Sequence, residues 1–321
     1  MKLMSKGIGI IILSTLVIVQ PSCSGQKLGG LVESSVSPSQ RLKVAGFSYQ
    51  KSLQVLFPSV VDKSRPSSVV VLPGGELAIV DKSAGVAGLF GQSGVFISYL
   101  EAPSTFRPSL EAPGPGLSLY LLDAYSSEIY RFDSTGNLAG LADFADEPAL
   151  FAGLCFDKTG RAYLSDQERD EIVVIDPSGG TERRLGGFGS ERGMFIDPAG
   201  IAVDERGMLY VCDRGNSRVQ VLDGWGGVLR VWALNGSGCV PRPEAIVVDR
   251  WGNSFVTDQG CSCLRVLNDE GTETARLQGK GPGLAFLDRP EGLDLDAGRL
   301  LAADPVEGGI QIFEIQYEAY H

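Results

Sequence analysis

The sequence predicts an all-β fold assembled from one repeated antiparallel unit, and three observations predict it. An aspartate closes a short apolar run at Asp81, Asp123, Asp166, Asp213, Asp258 and Asp304, at intervals of 42 to 47 residues. A proline precedes each in phase, at Pro66, Pro108, Pro148, Pro198, Pro243 and Pro290, 14 to 18 residues upstream. The 42 Gly and 17 Pro among 321 residues suit a chain that turns often, and no long helical periodicity runs through it. A period of roughly 40–50 residues with several short strands inside each unit marks a radial array of sheets. Both markers have a local cause. Proline opens a strand where the ladder needs no N–H, and aspartate at a strand end bonds the amides of the next turn.

The chain opens with a segment that does not belong to the repeat. Lys2 and Lys6 precede an apolar run, Gly7 to Val19, of the length of a secretory signal and too short for a good spanning helix. Residues 1–22 are therefore expected to be a signal peptide. Ser22 and Cys23, followed by Ser24, Gly25 and Gln26, resemble a bacterial lipoprotein signal with Cys23 as the lipidated first residue, although Gln20-Pro21 departs from the usual pattern. That resemblance implies a lipid anchor and a cell-envelope location, at the outer membrane or in the periplasm. Without lipid on Cys23 the protein would be secreted. Residues 23–40 are Gly- and Ser-rich and read as a flexible tether. Residues 41–321 form one domain.

The repeat is clearest from Asp197 to Leu222, DPAGIAVDERGMLYVCDRGNSRVQVL. Three apolar runs separated by polar and Gly turns read as three antiparallel strands. This stretch resembles an NHL repeat, a blade of a β-propeller. The resemblance covers roughly residues 41–316 and implies a six-bladed β-propeller of four-stranded antiparallel blades. Val69 to Val71 and Ile201 to Val203 are continuous apolar runs that fit innermost strands buried on both faces. The last unit has only three strand segments, Leu293 to Asp296, Leu300 to Asp304 and Gly309 to Gln316. The strand-like residues 42–57 are expected to supply its outer strand and close the ring, because an open ring leaves unpaired edges. Pro113 and Pro115 predict a short or distorted inner strand in blade 2. Three extra residues before Asp166 predict a bulge or a longer entry loop in blade 3. The Gly-rich segments Leu185 to Ser190 and Gln278 to Gly283 read as loops between blades.

The composition narrows the chemistry. The formal charge of −11 becomes −13 without the leader lysines, which argues against nucleic acid as a partner. The single histidine is the terminal His321. A Ser–His or Cys–His pair is therefore not credible, and the histidine-bound zinc of amidating-lyase propellers has no ligands here. No G-x-S-x-G elbow occurs. The six strand-end aspartates read as turn caps in preference to a metal-binding ring. Cys155 and Cys212 lie in apolar runs and read as core. Cys239, in the connection into blade 5, can reach Cys261 or Cys263 as a disulfide, and a C-x-C metal site with a third cysteine is the alternative.

Propellers bind ligands at the channel mouth, where the innermost strands begin. The residue before each opening proline is Arg65, Arg107, Glu147, Asp197, Arg242 or Arg289, and the residue after it Ser67, Ser109, Ala149, Ala199, Glu244 or Glu291. One reading is an anionic-ligand site built from Arg65, Arg107, Arg242 and Arg289 with Glu244 and Glu291, since guanidinium forks suit carboxylate, sulfate and phosphate. The other is that these arginines lie over their own loops or pair with the acids beside them. Phe106, Tyr125, Phe151 and Trp225 are candidate contact aromatics. The expected function is a non-catalytic propeller that binds a protein, peptide or glycan through its mouth, without a cofactor. The alternative is a metal-assisted hydrolase or lyase on a small anionic substrate, similar to gluconolactonase-like propellers. There a divalent cation in the channel would use Glu244, Glu291 or Asp197, with no asparagine at an inner position, since Asn216, Asn235 and Asn253 lie in turns.

Overall fold

Short apolar runs punctuated by Asp and Gly turns fold into six antiparallel sheets around a central channel. The computed structural model describes residues 42–60, 63–101, 103, 106–123, 126, 128–142, 149–281 and 284–319. From the channel outward, blade 1 comprises Ser68–Val71, Leu77–Asp81, Val86–Phe90 and Phe96–Tyr99. Blade 2 comprises Pro108–Pro113, Leu119–Asp123, Ile129–Phe132 and Leu138–Ala142. Blade 3 comprises Phe151–Phe156, Ala162–Asp166, Glu171–Ile175 and Thr181–Gly186. Blade 4 comprises Pro198–Val203, Leu209–Asp213, Arg218–Leu222 and Val228–Ala233. Blade 5 comprises Pro243–Val248, Ser254–Asp258, Cys263–Leu267 and Glu273–Gly281, with a fifth strand, Leu284–Leu287, outside them. The Gly-rich segment at 278–283, expected as a loop, thus continues a strand as far as Gly281.

Blade 6 closes the ring as the strand count requires. Leu293–Asp296, Arg299–Asp304 and Gly309–Ala319 come from the C-terminal part of the chain, and Leu42–Gln54 pairs outside them. The pairing is antiparallel, with Leu42 opposite Ala319 and Gln54 opposite Gly309. Phe47 on this strand packs edge-on to Phe313 of its own blade and Phe255 of blade 5, each at 6.2 Å. The closing strand is therefore held both by its ladder and by the inter-blade core.

Neighbouring sheets bury their faces against each other. Phe57, Val69, Ile79 and Phe90 pack with Leu301 and Ile310 between blades 6 and 1. Val247, Phe255 and Leu264 pack with Leu295, Leu300 and Phe313 between blades 5 and 6. At the channel the innermost strands come too close for side chains. A Cβ on Gly200 would lie 2.5 Å from the Glu244 carbonyl, and one on Gly292 would lie 2.6 Å from Ser68 Cα. Glycine there lets adjacent backbones meet.

On the face away from the strand-closing aspartates, an Asp-x-x-Gly turn recurs. Gly207 donates its N–H to the Asp204 carbonyl and Gly226 to that of Asp223. Asp204 Oδ1 accepts the amides of Arg206 and Met208, both at 2.9 Å. The positive φ of Gly207 (+79°) and Gly226 (+94°) is what these turns require.

Two local expectations are decided. The inner strand of blade 2 is not shortened. It runs Pro108–Pro113, with Pro113 opposite Leu119 and a register shift between Pro108 and Leu110, and in the turn after it Pro115–Leu117 form a 3-10 segment. In blade 3, Leu150 takes the place held by Arg65 and Arg107 in blades 1 and 2, donating its N–H to Asp166 at 3.4 Å. The three extra residues therefore belong to the entry connection. Pro148 and Glu147 in that connection lie outside the described residues, as do Cys23, Tyr125 and His321.

Candidate functional site

The channel-mouth face is organised by the six strand-closing aspartates, all buried. Each ties the entry of its own innermost strand to the hairpin after its second strand. Asp81 accepts the N–H of Arg65 at 2.6 Å and of Ala84 at 3.0 Å. Asp123 accepts Arg107 and Ser126 at 2.7 and 2.9 Å. Asp258 accepts Arg242 and Cys261 at 2.8 and 3.0 Å. Asp304 accepts Asp288 and Val306 at 2.7 and 3.0 Å. The expected turn cap is one half of this clamp. The other half reaches back to the strand entry, and it explains the nearly constant proline-to-aspartate spacing.

In blades 4 and 5 the clamp extends to an arginine. Arg218 bonds Asp213 at 2.6 Å and donates to the carbonyls of Ser190, Glu191 and Met194 at 2.7, 2.8 and 2.9 Å. Gln220 adds a bond to Met194 O at 2.7 Å and accepts the Gly193 amide at 2.9 Å. Arg265, fully buried, bonds Asp258 at 2.7 Å, Glu273 at 2.6 Å and the Asn235 carbonyl at 3.0 Å. A buried guanidinium demands charged partners, since an unpaired one would carry a large desolvation cost. These arginines fix the loops entering blades 4 and 5. Cys239 and Cys261 form a disulfide, Cα–Cα 5.3 Å, that pins the second of those loops to the blade 5 hairpin. Cys263 remains a buried thiol, and burial pushes it up to about 11.

Within this frame lies a channel cavity of about 300 Å³ with lining from all six innermost strands. Its mouth also takes the residue that follows the clamp aspartate in three blades, namely Lys82, Gln167 and Arg214. Arg214 forms a two-bond fork with Asp197, 2.7 Å on each arm, and a third bond of 2.7 Å to Glu244. Burial works against its charge, but the bonds to Asp197 and the field of Glu244 hold its pKa above the ordinary value. Lys82 Nζ lies 2.5 Å from Glu291 Oε2. Deeper in, buried Asp294 accepts the amides of Val71 and Leu295 at 2.7 and 2.8 Å. Val70, Leu154, Ile201, Ile246 and Leu293 give the stem an apolar wall.

The residues singled out from sequence divide into two groups. Glu244 and Glu291 line the cavity. Arg65, Arg107, Arg242 and Arg289 do not. Their backbone amides serve the aspartate clamps, and their side chains are exposed on the surrounding rim. Arg242 stands 3.9 Å from Asp197, and the Arg107 guanidinium donates to the Phe106 carbonyl at 2.9 Å. Phe151 lines the cavity, whereas Phe106 is buried against Tyr130. Trp225 is exposed in a third-to-fourth-strand turn on the opposite face, with Arg183 stacked 4.4 Å over its ring. Lys82, Gln167 and Arg214 are not singled out by the sequence. Their one signal is a fixed position, one residue after each periodic aspartate.

Comparison with known proteins agrees with this architecture. The NHL-repeat family model matches residues 195–222, the core of blade 4. No curated protein matches the chain. Among solved structures, virginiamycin B lyase from Staphylococcus aureus is 13% identical, with a TM-score of 0.63 over 84% of this chain and 100% of that one. A gluconolactonase from Xanthomonas campestris is 12% identical, with a TM-score of 0.62 over 85% of this chain and 99% of that one. A structure of a streptogramin B lyase is 12% identical, with a TM-score of 0.60 over 84% and 98%. At such identity the likeness is one of fold.

Proposed function

We propose that this six-bladed β-propeller, with its NHL repeat in blade 4, is a binding module that takes its ligand or partner at the channel mouth. In this reading it performs no chemistry, and a lipid on Cys23 holds it at the bacterial cell envelope. The observation that carries the reading is the mouth itself. Arg214 is locked by Asp197 and Glu244, and Lys82 by Glu291, around a cavity with an apolar stem. Polar groups fixed on strand ends before a ligand arrives lose little freedom on binding. Among the described residues the mouth carries no imidazole.

A second reading has its own support. The similar folds include lyase and gluconolactonase propellers, and Glu244, Glu291 and Asp294 face one cavity. Carboxylates in a channel suit a divalent cation that polarises an ester or lactone. For that, Glu244 and Glu291 would have to release Arg214 and Lys82.

One experiment separates the two. Native mass spectrometry of the full chain purified from bacterial membranes would report lipid, metal and co-purifying ligand together. The binding module predicts a diacylglyceryl mass that disappears in Cys23→Ala, and a non-covalent ligand lost in Arg214→Ala. Hydrolysis of a small lactone that needs added calcium and is lost in both Glu244→Gln and Glu291→Gln would replace the binding reading with the enzymatic one.

A further inference from the structure

The lining of the channel is unbalanced in charge, and the imbalance points to one class of ligand. Among the described residues it contains two cations, Lys82 and Arg214, against three carboxylates, Glu244, Glu291 and Asp294. Both cations are paired with carboxylates. Every nitrogen of the Arg214 side chain already donates to a carboxylate, and the Lys82 ammonium lies against Glu291. A carboxylate, by contrast, accepts about four hydrogen bonds. Glu244 accepts one, from Arg214 Nη1. Glu291 Oε2 is buried and accepts no aligned hydrogen bond, its neighbour being the Lys82 ammonium in an ion pair. Glu244 and Glu291 occupy the same position, just after the opening proline, on adjacent blades 5 and 6. The mouth therefore holds spare acceptors on one side, and the four rim arginines stand outside the cavity.

We infer that the mouth selects a ligand carrying a protonated primary amine on an apolar body. The ammonium lies between Glu244 and Glu291 and the body enters the stem toward Leu154, Ile201, Ile246 and Leu293. An ammonium brings three donors to a wall that has unused acceptors, and it cancels the net negative charge of the lining. An anion meets a lining of net negative charge whose cations are already paired with carboxylates. A nitrogen cation already sits against each glutamate, and an incoming ammonium would use the acceptor lone pairs that Arg214 and Lys82 leave over. The apolar wall below adds affinity in proportion to the surface it covers. This inference rests on the channel mouth being the ligand site.

The test is calorimetric titration of the purified full chain at low salt with n-hexylammonium, n-hexanoate, 1-hexanol and calcium chloride. The expected result is saturable binding of hexylammonium, at least tenfold tighter than hexanol, with no binding of hexanoate. Glu244→Gln and Glu291→Gln are each expected to weaken the amine about tenfold while the melting transition is kept. A wild-type series from butyl- to octylammonium covers the case in which a variant fails to fold. Affinity should rise about two- to fourfold per methylene if the body enters the stem, and a flat series overturns that placement. Hexanoate binding in place of hexylammonium overturns the ammonium assignment and leaves the mouth as a ligand site. Calcium binding that displaces the amine overturns it in favour of a metal. No binding by any of the four overturns both the ammonium assignment and the mouth as a ligand site.

Discussion

Blades 4 and 6 have the same shape and are held together differently. Blade 4 is cut from one uninterrupted stretch, Pro198 to Ala233. Its central aspartate gathers side chains as well as amides. Asp213 accepts the Ile196 amide at 2.9 Å, Asn216 at 2.9 Å, Arg218 at 2.6 Å and Gln220 at 3.0 Å. Blade 6 joins the two ends of the described chain. Its equivalent, Asp304, accepts the backbone amides of Asp288, Arg289, Val306 and Glu307. A contiguous blade can concentrate a polar network within a few residues. A closing blade relies on a long strand ladder and on the apolar seam with its neighbours.

The difference is most severely tested by removing residues 42–54. That deletion bares the edge of Gly309–Ala319 and strips cover from Phe313 and Ile315. Whole domains are stable by only about 5–15 kcal/mol, so cooperative unfolding of the entire ring is expected to disappear in a thermal melt followed by circular dichroism. A transition kept within a few degrees of the parent would mean that blade 6 stands without its outer strand.

The aspartates give a graded version of the same contrast. Asp213→Ala strands Arg218, whose side chain is only 12% exposed, and breaking a pair of that kind costs about 3–5 kcal/mol. Asp304→Ala leaves backbone amides unsatisfied, at a cost of about 1–3 kcal/mol. Urea denaturation of the two variants should rank them in that order. Equal losses would show that the arginine adds nothing to the clamp.

A pH-dependent effect lies at the seam between blades 5 and 6. Asp249 bonds the Trp251 amide and the Asn253 side chain, and Asn253 in turn donates to the Leu42 carbonyl of the closing strand at 3.0 Å. Burial pushes the Asp249 carboxyl up to about 6, against the opposing pull of hydrogen bonds from Asn253, Trp251 and Tyr317. A carboxyl with a raised folded pKa holds more protons folded than unfolded between about pH 4 and pH 6. Its contribution to stability therefore falls as pH rises through that window and is constant above it, a change of about 2–3 kcal/mol. Asp249→Asn should remove this component. Unfolding free energies of variant and parent measured at pH 4, 5, 6 and 7 should diverge across the window, and parallel curves would exclude the effect.

Much of this molecule is legible in its sequence because the markers act locally. Pro108, Pro198 and Pro243 open strands, Pro66 stands two residues before one, and the six aspartates close hairpins within a few residues of themselves, so spacing alone reveals the period and the number of blades. The missing strand of the last blade can likewise be counted. Leu150 is not recognisable as the blade 3 strand entry because its role is defined by a hydrogen bond to Asp166, sixteen residues on, and not by its own chemistry. Arg265 is equally silent, since a lone arginine in an apolar strand looks the same whether it is solvated or clamped.

The sequence by itself determined the six-fold array, its closure by residues from both ends, and the placement of Glu244 and Glu291 beside the channel. Each of these follows from interactions between near neighbours or from the geometry of completing a sheet. Only the tertiary structure decided that Lys82 and Arg214 face the cavity while Arg65, Arg107, Arg242 and Arg289 stand on its rim. It also decided that Cys239 pairs with Cys261. Side-chain direction at a blade corner depends on how six sheets converge on one axis, and that convergence couples residues far apart in the chain through distance and charge.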